Sequence, residues 1–217
     1  MGYGVFDPCD SLAAIPRNAG GDARAPRVCR TLIGTRFAPW EREGPAVGWR
    51  TSMASKHRAE GVEKLREHLL ELLGEGGAHI GFQAAVADLS GPLRGARPPG
   101  QSHTPWRLVE HLRIAQWDIV EFVRNPKHQS PPWPDGYWPQ GAAPAKPKDW
   151  DHSVEEFQRD LAALRELVAD TGQDLLLPLP QGQGQTLARE AMLAADHNAY
   201  HIGQLVMLRK ILGAWKE

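Results

Sequence analysis

The sequence predicts an all-α protein, a four-helix bundle with a crossover connection, preceded by a largely irregular N-terminal extension. Three observations predict this fold. Apolar residues recur at helical spacing in the stretches that follow residue 52. No stretch shows convincing strand alternation, and one connector is too long for a tight turn between neighbouring helices. We expect an irregular or disordered extension over 1–52 and a bundle domain over 53–217.

The predicted extension differs in composition from the rest of the chain. It carries five prolines among scattered glycines and arginines, and no helical or strand period persists in it. We expect either a disordered tail or a segment upstream of a true start at Met53. Both cysteines, Cys9 and Cys29, lie here, so a disulfide between them is one option and the bundle needs none. This cysteine usage predicts a cytoplasmic protein.

Charge and hydropathy exclude two classes of partner. The formal net charge is -1, with no basic excess, so nothing favours a nucleic acid. No run of about 18 apolar residues occurs, which argues against a membrane span. A mean hydropathy of -0.44 agrees. We therefore expect a small-molecule substrate rather than a nucleic acid or a membrane.

Helix signals locate the first half of the bundle. A short lead-in helix is expected from about Lys56, and the apolar pattern over 78–89 predicts the first bundle helix. Thr104 is the predicted N-cap of the second helix, with Pro105 at its first position. Asn125, followed by proline, is expected to stop that helix.

The second half begins with a long connector over 125–150, rich in proline and aromatic residues. A segment of this length is expected to cross the bundle or to cover one end. Ser153 to Glu156 has the capping-box pattern and predicts the start of the third helix. Thr186 is expected to cap the last helix, which ends just before Gly213.

Three histidines are predicted to point into the core. His197 and His201 are four residues apart on the apolar face of the last helix, and His111 lies on the inward stripe of the second. A neutral, hydrogen-bonded histidine cluster is the plain structural alternative. However, close imidazoles repel one another when charged, and burial already disfavours their charge. A divalent metal bound by neutral nitrogens resolves this conflict.

Three histidines without cysteine are the ligand count of a catalytic metal site with an open position. The set suits Zn, Ni, Fe or Mn. Gln204, three residues after His201, is predicted to orient a ligand ring. His79 is a candidate to reach the site, as a neighbour or a fourth ligand. Glu110, Asp196 and Asn198 are further candidates for this orienting role, but a place on the solvated surface is the simpler expectation for them.

The last helix, DHNAYHIGQLVMLRKILG, resembles the terminal motif of the DinB/YfiT superfamily, a His-x3-His followed by Gly-Gln and a Leu/Arg stretch. The segment TPWRLVEHLRIAQWDI is similar to that family's second helix. The resemblance covers roughly 78–215, although Ile202 stands where the family often has arginine. It implies a bundle with an unusual crossover order, cytoplasmic location and frequent homodimers. It also implies a divalent metal site formed by His111, His197 and His201.

The resemblance implies chemistry as well, because some family members are thiol S-transferases that use low-molecular-weight thiols. We predict a metal-dependent transferase or hydrolase that activates a thiol or water. The alternative is a non-catalytic metal-binding or small-molecule-binding protein of a stress response, since no definite general base or thiol-binding signature is found. The substrate is expected to enter beside aromatic side chains that have core or lid packing as their simpler role: Trp106, Trp117, Trp133, Tyr137 and Trp138.

Overall fold

The structure, a computed structural model, describes residues 47–74 and 77–216, with side chains from residue 56 onward. The chain divides between His57 and Arg58, and the unit from Arg58 onward contains the helices that hold the candidate site. Residues 1–46 of the predicted extension, including both cysteines of the candidate disulfide, lie outside the described residues. The boundary at residue 52 stays a prediction, although residues 47–52 are helical.

Four long helices and two short ones make up the described part, together with a 3-10 turn at Asp135–Tyr137. The prediction of an all-α fold is confirmed, since the described residues contain one isolated β-bridge and no strand. No helix in this part combines the length and the apolar character that crossing a bilayer requires. The helices are α1 (Val47–Leu72), α2 (Phe82–Val86), α3 (Gly91–Arg94), α4 (Pro105–Arg124), α5 (Pro147–Ala169) and α6 (Leu187–Ile211).

The ends of α4 and α6 agree with the sequence signals. The Thr104 hydroxyl accepts a hydrogen bond from the Arg107 amide at 3.2 Å, and Thr186 caps α6 in the same way. Gly213 follows α6 with a φ of 67°, the left-handed conformation that glycine adopts readily after a helix. Local capping chemistry therefore fixes both helices that carry the candidate ligands.

The prediction for the first bundle helix was wrong. The expected lead-in is the 26-residue helix α1, and the stretch 78–89 forms only the five-residue α2. Asp88 adopts a φ of 57°, which interrupts helical geometry. Phe82 and Leu89 are nevertheless buried. The apolar pattern thus identified the buried residues of this stretch but not the length of its helix.

The predicted start of the third helix was also wrong. Helix α5 begins at Pro147, where the missing N–H of proline costs no hydrogen bond, and the Asp149 carboxylate accepts from the Lys146 amide at 2.8 Å. Ser153 lies inside α5 rather than at its N-cap. Its hydroxyl donates to the Glu110 carboxylate on α4 at 2.6 Å. The serine of the capping-box pattern therefore makes a contact between α5 and α4 instead of capping a helix.

The crossover connection is confirmed by two contacts near the start of α4. After α4 ends, the chain returns along it, and the Ala142 carbonyl accepts from the Thr104 hydroxyl at 2.6 Å. A 20-residue helix is about 30 Å long, which explains the length of the connector. Because Ser153 near the start of α5 meets Glu110 near the start of α4, these helices run parallel. Helix α6 runs antiparallel to α4.

Helix α1 joins the bundle through its C-terminal half. Leu69 and Leu73 are buried against the ends of α4, α5 and α6. The buried Arg66 guanidinium donates to the carbonyl oxygens of Asp170 and Gln173 at 3.0 Å each, and also to that of Val168. The Val168 carbonyl lies in the last turn of α5, where helix carbonyls lack intrahelical partners, and the other two carbonyls follow the helix. Arg66 therefore caps α5 from α1.

The core consists of two apolar clusters with a polar layer between them. One cluster contains α2 and the C-terminal half of α6, and the other contains α1 and the N-terminal half of α6. Along α6 the clusters end at Ile202 and Ala195, so His197, Asn198 and His201 lie between them. All three side chains are buried. The candidate site is therefore at the middle of the bundle.

Replacing Phe157 by alanine should lower the free energy of unfolding by about 3–5 kcal/mol. The ring is fully buried and lies 3.9 Å, centroid to centroid, from Phe82. Equilibrium unfolding in urea measures the change. Leu177→Ala, at a side chain that is 63% exposed, is the matched control and should stay within about 0.5 kcal/mol of the wild type. Equal effects of the two substitutions would contradict the described core.

Candidate metal centre

The three predicted histidines converge in the polar layer. His111, His197 and His201 are 2%, 7% and 0% exposed, respectively. The Nε2 atom of His111 lies 3.2 Å from Nε2 of His201 and 3.0 Å from Nε2 of His197. Among the described residues, these three form a group whose ligand atoms all lie within 4.8 Å of one another. We call this group the histidine triad.

Helical spacing and small neighbours bring the triad together. His197 and His201 are one turn apart on α6, so their rings share one face. On α4, Ala115 follows His111 by one turn, and on α6 Ala194 precedes His197 by three residues. Both alanines are buried. Small side chains thus flank the imidazoles on both helices and leave room for three rings between them.

Hydrogen bonds on the far side of two rings determine which nitrogen carries the proton. The Nδ1 atom of His111 lies 2.9 Å from the carbonyl oxygen of Tyr137, and Nδ1 of His201 lies 2.8 Å from Oε1 of Gln204. Because these oxygens only accept, each Nδ1 carries hydrogen. In the neutral rings both Nε2 atoms then present lone pairs to each other, with no hydrogen atom between them.

Burial keeps His197 neutral. The pKa of its imidazole is well below the usual value, first because desolvation penalises the charged form and second because His201 and His111 are nearby. The Asn198 side chain opposes this shift to a smaller extent. His197 therefore offers a neutral nitrogen donor, the form in which imidazole binds a metal.

Trp138 covers the triad from the crossover connector. Its ring is parallel to that of His111, with centroids 3.9 Å apart and an interplanar angle of 4°. His103 stacks on the same indole at 4.4 Å and 6°. Two parallel rings so close to one indole occupy its opposite faces, so Trp138 is held between the start of α4 and the triad.

An unpredicted carboxylate fixes the neighbouring residue of the connector. Asp118 accepts from the Tyr137 hydroxyl at 2.6 Å through Oδ2 and lies 2.7 Å from His128 Nε2 through Oδ1. Burial and the bond to Asp118 raise the pKa of Tyr137. The sequence signal that could have identified Asp118 is its place seven residues after His111, among the apolar residues of the same stripe.

A buried amide pair joins α4 and α6 beside the triad. Asn198 donates through Nδ2 to Oε1 of Gln116 at 2.9 Å, and both side chains are buried. The surface prediction for Asn198 was therefore wrong, because several helices surround the middle of α6. Glu110 is also engaged, with Arg113 and Ser153. Asp196 is exposed, as expected.

His79 does not reach the triad. It is exposed, and its Nδ1 lies 2.9 Å from the carbonyl oxygen of Ile80. It lines a separate cavity of about 320 Å³ between the end of α1, α5 and α6, whose apolar wall includes Phe157 and Ile202. None of the triad histidines lines this cavity.

The five predicted pocket aromatics divide into those that touch the triad and those that do not. Tyr137 and Trp138 contact His111, the first through its carbonyl oxygen and the second through its ring. Trp133 packs against Tyr137, and Trp117 packs against His128. Trp106 belongs to the α2 side of the core. The structure thus brings only part of the predicted aromatic pocket to the site.

Diethyl pyrocarbonate, which modifies accessible neutral imidazoles, should react with His68 far faster than with His111, because the His68 side chain is 69% exposed. Trp138→Ala removes the ring that covers His111 and should accelerate its modification, while the rate at His68 stays the same. Peptide mass spectrometry measures both rates. If His111 in the unaltered protein reacted as fast as His68, the described burial would be incorrect.

Comparison with known proteins agrees with this description. A family model of the DinB superfamily matches residues 81–205, which is more than half of the chain and includes the whole histidine triad. The resemblance predicted from two helical motifs is thereby confirmed. Searches of curated proteins and of solved structures each gave no match.

Proposed function

Because the chain belongs to the DinB superfamily, we propose that it binds a divalent metal ion through Nε2 of His111, His197 and His201. The observation that supports this most directly is the contact between Nε2 atoms. Two of these atoms lie 3.2 Å apart although hydrogen bonds on Nδ1 leave both with lone pairs. A cation between them removes the repulsion that such a contact otherwise carries.

The distances between the donors suit such an ion. Metal–nitrogen bonds of about 2.0–2.1 Å in a tetrahedral shell place two ligand nitrogens about 3.3 Å apart. The separations from His111 Nε2 are 3.2 Å and 3.0 Å. All three donors belong to buried rings, and burial keeps the His197 ring neutral. The residues therefore fit a divalent ion, and imidazole ligands are compatible with Zn, Ni, Fe or Mn.

We propose that the protein is a metal-dependent transferase or hydrolase acting on a small molecule, with a low-molecular-weight thiol as the cosubstrate in the transferase case. A divalent ion on three protein ligands keeps an open position, where it favours the ionised form of a thiol or water. The Tyr137 carbonyl and Gln204 orient two ligand rings. Trp138 excludes water from one side of His111.

A second candidate is a protein that binds a metal or small molecule, for example in a stress response, without turnover. The burial of the triad supports this candidate, since all three rings are at most 7% exposed and Trp138 stacks directly on His111. The carboxylates near the site are also engaged: Asp118 with Tyr137 and His128, and Glu110 with Arg113. Neither candidate involves a nucleic acid, in keeping with the net charge of -1.

His197→Ala should abolish stoichiometric metal, because the loss of one of three imidazoles severely weakens a site. Elemental analysis of the purified protein measures the content, and His68→Ala, at an exposed side chain, is the control. Chelation should lower the melting temperature of the unaltered protein but not that of His197→Ala, since a ligand stabilises only the state that binds it. Equal metal content in the two proteins would refute the ligand assignment.

A panel of low-molecular-weight thiols with an electrophilic dye, run on the same proteins, separates the two candidates. Thiol-dependent turnover that chelation removes supports the transferase. Stoichiometric metal without thiol-dependent or hydrolytic turnover supports the binding protein.

We also propose a cytoplasmic homodimer that pairs through α6. The outward face of this helix carries large apolar side chains that are 42–57% exposed, a pattern typical of interaction surfaces. Gly203 lies on the same face, and a Cβ there would meet no atom within 4 Å, so a second helix can approach closely. The exposed residues are Met192, Tyr200, Met207 and Ile211.

Met207→Lys combined with Ile211→Lys should convert the dimer to a monomer, because charges would be buried in the interface without partners. Light scattering after size exclusion measures the mass, expected near twice 24.0 kDa before the change and near 24.0 kDa after it. Leu177→Lys, an equally exposed position in a loop, should leave the mass unchanged. A monomer before any substitution would contradict the proposal.

A further inference from the structure

We propose that Asp118 is a positioning residue for the metal ligand His111 and acts on it through Tyr137; this inference rests on the proposed function. Asp118 Oδ2 accepts from the Tyr137 hydroxyl at 2.6 Å, and the carbonyl oxygen of Tyr137 accepts from His111 Nδ1 at 2.9 Å. One residue of the connector thus joins the carboxylate to the ligand ring.

Both ends of this link belong to the same helix. Asp118 follows His111 by seven residues on α4, which is two turns and about 10 Å along one face. Tyr137 ends a short 3-10 turn in the connector, and its ring reaches Asp118 while its backbone reaches His111. Helix α4 therefore carries both His111 and Asp118, the residue that holds the carbonyl acceptor of His111 in place.

The carboxylate is held in place by a second bond. Its Oδ1 atom lies 2.7 Å from Nε2 of His128, at the beginning of the connector, and the side chains of Asp118 and His128 are 13% and 6% exposed. The first and last residues of the stretch from His128 to Tyr137 therefore both bind the Asp118 carboxylate. The same two bonds also position Trp138, the next residue, against the face of the His111 ring.

The consequence concerns the proton on His111. Without the Tyr137 carbonyl at Nδ1, hydrogen is free to move to Nε2, the atom that faces the other two histidines. A ring with hydrogen on Nε2 cannot donate that nitrogen to a metal. Outer groups that fix ligand tautomers typically change metal affinity by about 10–100-fold. Asp118 is then a residue that sets affinity without touching the ion.

Zinc affinity, measured by competition with a chromophoric chelator, tests the link in the full chain. Tyr137→Phe and Asp118→Ala should each weaken affinity by about tenfold or more. The double variant should be no weaker than the weaker single variant, because both substitutions break one link. Asp118→Asn should restore most of the affinity, since its amide oxygen can accept from Tyr137 while its NH2 group donates to His128. Glu121→Gln, which loses a carboxylate paired with Arg124 on the same helix, is the control.

The tautomer of His111 gives a readout that needs no metal. Long-range 1H–15N correlation spectra of the metal-free protein should show hydrogen on Nδ1, and Tyr137→Phe should move part of the population to Nε2. Hydrogen on Nε2 before substitution, additive losses in the double variant, or affinities within twofold of the unaltered protein would each overturn the proposal. If the unaltered protein bound no zinc although its His111 tautomer responded to Tyr137→Phe, the proposed function would fail while the positioning role stood.

Discussion

The candidate site depends on burying three imidazoles between the antiparallel helices α4 and α6. Nε2 of His111 lies within about 3 Å of Nε2 of both His197 and His201, which leaves no room for a proton on every ring nitrogen, so the far sides of His111 and His201 are fixed and charge on the triad is disfavoured. Burial disfavours this charge, as the lowered pKa of His197 shows. Fixing the far sides of His111 and His201 requires a hydrogen-bond acceptor at each Nδ1 atom. Helices α4 and α6 supply only one of these two acceptors. Gln204 serves His201 from within α6, but the acceptor for His111 comes from the connector.

The crossover connector therefore has a chemical role as well as a topological one. Parallel packing of α4 and α5 obliges the chain to return along α4. In doing so it passes the middle of the bundle, where Tyr137 and Trp138 meet His111. Prolines reduce the number of conformations available to such a segment, and the hydrogen bonds to Asp118 then favour one of those that remain. A simple up-and-down bundle would leave this side of His111 open.

Local sequence rules identified the triad because each ligand lies on the apolar face of its own helix, and that face can be read from local spacing. The spacing of His197 and His201, and the caps Thr104 and Thr186, are set within one or two turns of a helix. Two side-chain contacts between residues far apart in the sequence were not predicted. Asp118 meets Tyr137 19 residues away, and Gln116 meets Asn198 82 residues away. Asn198 was expected on the surface, yet its side chain is buried against Gln116 of α4.

The same enclosure bears on whether the site is catalytic. An ion held only for storage or sensing needs a tight shell, and the stacking of Trp138 on His111 provides one. A substrate, by contrast, must reach the open position of the ion, and the rings that would hold it are at most 7% exposed. Turnover therefore requires the Tyr137–Trp138 segment to move away while His111 keeps its tautomer. These two demands conflict, because the carbonyl of Tyr137 that fixes the tautomer belongs to the segment that covers the ring. In the proposed enzyme, access to the ion would therefore come from motion of the Trp138 side chain, while the Tyr137 carbonyl stays on His111 and the Tyr137 hydroxyl stays on Asp118.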